Sequence, residues 1–99
     1  MPKINANEVV IVVLHSPREK IWGIVDEINV AGIFVRGIDL NAFDDWIRAI
    51  NRDEGFFGLS DSFIPMWRVE RILRDESSDE IPSLYEQFER RTNKKFDEF

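Results

Sequence analysis

Glu8-Val9-Val10-Ile11-Val12-Val13-Leu14-His15 is the stretch on which the fold turns. Its apolar part is an unbroken run from Val9 to Leu14, β-branched at every position but the last, and that composition predicts a strand. Alternate side chains of a strand point to opposite faces, so an unbroken apolar run needs cover on both. The expectation is a strand buried on both faces, or the central strand of a small barrel. The run is far too short to cross a bilayer and too short for an export core behind Met1-Pro2-Lys3. A cytoplasmic protein is expected.

Working outward, Pro17 cannot donate to a ladder, so His15-Ser16-Pro17-Arg18-Glu19 reads as a turn. Lys20 to Asn29 resumes as a second strand with Gly23 inside it, the mark of a bulge or a sharp bend. Asn29-Val30-Ala31-Gly32 reads as a turn in which Gly32 can supply positive φ. Ile33 to Asp39 returns as a third strand with Gly37 in its interior. The three strands make a curled meander.

The apolar period then changes from two to 3.6. Phe43, Trp46, Ile47 and Ile50 form one helical stripe, opposite Asp44, Asp45, Arg48 and Asn51. Asn41 is placed to cap this helix over 41–51, with Asp44 and Asp45 in its first turn. Residues 51–61 read as a loop around Gly55-Phe56-Phe57-Gly58. Ser62 to Ile64 reads as a short strand stopped by Pro65. Trp67 to Arg74 reads as a last strand with a bulge near Glu70-Arg71, because Val69 and Leu73 share a parity that Ile72 breaks. Residues 75–80 read as a solvated linker. Ser83 and Glu86 have capping-box spacing for a helix over 83–92, and 93–99 reads as a mobile tail.

Ninety-nine residues, 43 % of them hydrophobic, with eight Phe and three Trp, support one core and one domain. The absence of cysteine excludes disulfides, thiolate metal sites and a cysteine nucleophile. One histidine cannot build a histidine-rich metal site within a single chain. The net charge of −6 opposes long-range attraction to nucleic acid or anionic lipid. Arg68, Arg71 and Arg74 nonetheless cluster against Glu70 alone.

Candidate chemistry is sparse. A general base at His15 needs a partner within reach and an orienting group, whereas Ser16, as a strand neighbour, points to the opposite face. Asp39, Asp44, Asp45 and Asp61 are a possible oxygen-ligand set for a hard cation, but their spacing matches no calcium loop. No cofactor is called for, and no enzyme is expected. The aromatic set Trp46, Phe56, Phe57, Phe63 and Trp67 reads either as core or as a contact surface for a second subunit or a protein partner, with Phe43, Trp46, Phe56, Phe57 and Trp67 the expected contact residues. Arg36, Arg68 and Arg71, interleaved with Trp22 and Trp67, could serve single-stranded nucleic acid, or simply form surface salt bridges.

The stretch Val9 to Asp39 resembles the opening meander of Sm-like small barrels, and Phe63-Ile64-Pro65-Met66-Trp67-Arg68-Val69-Glu70-Arg71-Ile72 is similar to their closing strand pair. A Src-homology-3-like barrel fits the same strands. The helical insertion departs from both patterns, and the uridine-binding positions of Sm-like proteins have no counterpart here. The fold class expected is α+β: a strongly bent antiparallel sheet or a small barrel over 8–74, with an inserted helix and a C-terminal helix. The function expected is a noncatalytic assembly or interaction module, a homo-oligomer or a binder of a protein partner, with no membrane association. The resemblance implies, as the alternative, an RNA-binding ring.

Overall fold

The computed structural model describes residues 3–53, 55 and 57–99. It is an α+β protein: five strands in one antiparallel sheet, with two helices. The strands are β1 (Val9–Leu14), β2 (Glu19–Asn29), β3 (Gly32–Asp39), β4 (Ser60–Pro65) and β5 (Val69–Arg74), in the order β4-β3-β2-β1-β5. The helices are α1 (Phe43–Asn51) and α2 (Leu84–Thr92). No ladder joins β4 to β5. The sheet therefore ends in two edges rather than closing on itself.

The composition reads as one core, but the structure has two apolar clusters, and the run of β1 divides its side chains between them because the sheet is covered on both faces. Val10, Val12 and Leu14 pack with Val25, Ile33, Val35 and Ile64, bordered by Val69 and Ile72. Both edge strands contribute to this cluster, as they do when a sheet curls toward one of its faces. Val9 and Ile11 lie at the border of the second core, on the opposite face, which Trp22, Ile38, Phe43, Trp46, Ile47, Ile50, Phe88 and Phe96 build with α1 and α2. Each fully buried large side chain here contributes about 1.5–3 kcal/mol.

Two residues are extra in the ladders. Asp26 interrupts the β2–β3 register between Val25 and Glu27. Glu70 interrupts β1–β5, where Val13 faces Arg71 and Leu14 faces Val69, so the bulge expected near Glu70-Arg71 is present. The β2 bulge lies at Asp26 and not at Gly23. Gly23 faces Gly37 across the ladder, and a Cβ would stand 2.5 Å from the Arg36 carbonyl oxygen at Gly23 and 2.3 Å from that of Trp22 at Gly37. Close backbone approach therefore requires both glycines. Gly32 does not adopt positive φ either. The β2–β3 turn is held instead by the Asn29 side chain, whose Oδ1 accepts from the Ala31 N–H at 2.8 Å.

The helix ends also differ from expectation. Asp39, not Asn41, caps the start of the helical segment: its side chain accepts from the Asn41 N–H at 2.8 Å and opens a 3₁₀ turn, Leu40–Ala42, that runs into α1. Ser83 caps α2 as expected, accepting from the Glu86 N–H at 3.1 Å. The reciprocal half of the box passes through Ser77, whose hydroxyl accepts from the Ser83 N–H and donates to the Glu86 carboxylate. Asp75 is no solvated linker residue. Its two oxygens accept from the Leu84 and Tyr85 N–H groups, each at 2.8 Å, and from the Trp22 indole at 3.1 Å. One carboxylate thus fastens the start of α2 to the middle of β2.

The expectation of a mobile tail over 93–99 does not describe this segment. Asn93 ends α2 in the left-handed conformation. The chain then turns back, so that Phe96 is fully buried and stacks on Trp22 with ring centroids 4.0 Å apart. The Phe99 carbonyl accepts from the Leu59 N–H and the Arg36 guanidinium.

Candidate functional site

The helical layer covers only part of its face of the sheet. Beyond Ile24, at the border of the helix-side core, the same face of β2, β3 and β4 presents Asp26, Phe34, Arg36, Asp61 and Phe63. The ladder sets Phe34 opposite Phe63 and Arg36 opposite Asp61. Phe34 is 39 % and Phe63 45 % exposed, and their rings touch with centroids 4.7 Å apart. These residues, with Asn7, line an open groove of ≈ 600 Å³ across the sheet. Arg36 donates to Asp61 at 3.2 Å and to the Phe99 carbonyl at 2.9 Å, so these two charges match each other, while Asp26 adds a further carboxylate to the groove. Ser60, Ser62 and Phe57 line a smaller hollow of ≈ 220 Å³.

The aromatic residues singled out from the sequence separate. Phe43 and Trp46 are 6 % and 1 % exposed. They belong to the core: Trp46 stacks on Phe88 at 4.9 Å, and its indole donates to the Phe57 carbonyl at 2.6 Å. Neither is available as a contact residue. Phe57 is 54 % and Trp67 66 % exposed. Trp67 stands at the far end of β4, in the 3₁₀ turn Met66–Arg68, edge-on to His15 at 6.5 Å. Phe56 lies outside the described residues. Phe63 belongs to the aromatic set legible in the sequence; Phe34 does not, because it reads singly as a strand residue and only the β3–β4 register joins it to Phe63.

The arginines do not come together. Arg36 lies on β3 and Arg71 on β5, with β2 and β1 between them. Arg68 ties the end of the β1–β2 turn to β5: it donates to the His15 and Pro17 carbonyls and pairs with Glu19 at 3.2 Å. Arg71 is the most solvent-exposed of the three, 4.0 Å from Glu70. Arg74 pairs with Glu8 at 2.7 Å, and that bond holds the Glu8 carboxyl below its ordinary range.

The four acids weighed as cation ligands have separate partners. Asp39 caps, Asp44 accepts from Arg91 at 2.8 Å, Asp45 pairs with Arg48, and Asp61 with Arg36. His15 corrects one expectation. Ser16 sits in a turn with φ of 58°, so the two side chains do meet, with Nδ1 and Oγ 3.1 Å apart. Among the described residues no hydrogen-bond partner orients the ring from its other side, and both residues are exposed. That contact lacks the third group that activates a nucleophile. No described helix is long and apolar enough to cross a membrane.

Comparison with known proteins finds no matching protein family, no matching curated protein and no matching solved structure.

Proposed function

We propose that this chain is a noncatalytic interaction module that binds another polypeptide through the β3–β4 side of its sheet. The observation that carries this reading is the exposed Phe34–Phe63 pair beside β4, a strand with one edge unpaired. Apolar rings beside an open edge offer burial and main-chain hydrogen bonds at one place. The strand order, with apolar residues of both edges in one cluster, favours a small Sm-like or Src-homology-3-like barrel left open between β4 and β5. An RNA-binding role draws no comparable support, since Arg36 and Arg68 are engaged within the fold.

The test compares two baits, the natural chain and the Phe34→Ser/Phe63→Ser variant, both checked for folding by circular dichroism. Polypeptides retained by the first, including an untagged copy of the chain, are expected to be lost with the second. Equal retention by both baits would overturn the assignment of the surface.

A further inference from the structure

The two edges of the sheet differ in how they are protected. Exposed strand edges are normally blunted by charge, bulges or proline, because they template pairing with other chains. β5 carries Glu70, Arg71 and Arg74 and has the bulge at Glu70. β4 reads Ser60-Asp61-Ser62-Phe63-Ile64-Pro65. Its single charge, Asp61, is matched by Arg36, its proline stands at the very end, and its pairing with β3 runs without a shift. Among the described residues no backbone group of Ser60–Ile64 bonds to anything but β3.

We infer that β4 pairs antiparallel with β4 of a second copy about a two-fold axis, joining two sheets into one. The inference rests on the binding surface proposed above and names its occupant. A two-fold contact requires a patch that complements itself, and β4 meets that requirement on both faces. Residues opposed across an antiparallel ladder share a face, so the register that sets Phe63 against its own counterpart also sets Ile64 against Ser62 and Asp61 against Pro65. No like charges oppose. The Phe34–Phe63 pair becomes half of a continuous row of four rings, and the groove beside it is closed. The head-to-tail alternative, β4 against β5 of the next copy, would lay this edge, with its one charge, on the more charged, bulged one.

Light scattering after size exclusion of the full chain is the first arm, over a hundredfold range of concentration. The expected mass is twice 11.7 kDa, reverting to the single mass on dilution. Phe63→Lys should give the single mass at every concentration, and Leu73→Lys on β5 should keep the double mass. A variant that fails to fold leaves a second measurement on the natural chain: amide exchange over residues 60–64 should slow as concentration rises, while that over β5 stays constant. Slowing on both β4 and β5, dissociation by Leu73→Lys, or a mass above two copies would replace the two-fold contact by a head-to-tail one, and slowing confined to β5 would overturn β4 as the contact. A single mass throughout with unchanged exchange would overturn the second copy as occupant. The bait comparison would then decide whether the surface binds a different polypeptide.

Discussion

Asp75 joins two distant elements through one side chain. Its carboxylate accepts from two first-turn N–H groups of α2 and from the buried Trp22 indole. Removing it unmakes a helix cap and leaves a buried donor without a partner, so Asp75→Ala should cost about 2–4 kcal/mol. Urea unfolding followed by tryptophan fluorescence measures this, and a loss below about 0.5 kcal/mol would contradict the assigned role. Tyr85, the only tyrosine, offers a second check on the same helix. Burial, then the nearby Glu89 and Asp97 charges, raise its pKa above the ordinary 10.0. The folded state therefore holds the phenolic proton more tightly than the unfolded chain does. Stability should fall as pH rises from the ordinary tyrosine value through the folded one. Absorbance titration of the tyrosinate should show a midpoint above 10.0, lowered by Glu89→Gln. A midpoint at or below the ordinary value would mean that the ring is solvated.

Among the elements, those written in local periodicity were legible. The run Val9 to Leu14 gave a strand covered on both faces, and the Phe43-Trp46-Ile47-Ile50 stripe gave α1 with all four residues buried. The Glu70 bulge followed from a broken parity. Contacts between distant segments left no local mark. Asp75 sits in a run of acids and serines that reads as solvated, although its partners are a strand far upstream and a helix not yet begun. Phe96 stands among charged residues with no stripe to join, although Trp22 supplies its stacking face. By local pattern the glycines of the meander read as sites of bending or positive φ, whereas Gly23 and Gly37 serve close approach of two backbones. Gly37→Ala should therefore cost about 1–3 kcal/mol or prevent folding. Gly55→Ala, with nothing within 4 Å of the added methyl, should stay within about 0.5 kcal/mol. Equal effects of the two would exclude strand approach as the constraint.

For the whole molecule, the sheet serves as a partition with an apolar core on each side. The helix-side core depends on a residue near the end of the sequence: Phe96 lies between Trp22 and Tyr85, within ring contact of Trp46 and Phe88. Phe96→Ala should cost about 3–5 kcal/mol. It should also shift the tryptophan emission, because Trp22 and Trp46 both border the space left behind. Loss of stability without any spectral change would place the damage elsewhere.

The burial of Phe96 also bears on the order in which the chain can be assembled as it is made. Domains form in step with synthesis when their contacts become available. The cluster joining Val10, Val35, Ile64 and Ile72 has all its parts once β5 has emerged. The opposite layer cannot close then, because α2 and Phe96 have still to be translated. A nascent chain paused after Arg74 would hold the strands and α1, with Phe43 already against Trp22, but Trp22 and Trp46 would still lack the cover that Phe96 and Phe88 give them, and apolar surface would stay exposed for that interval.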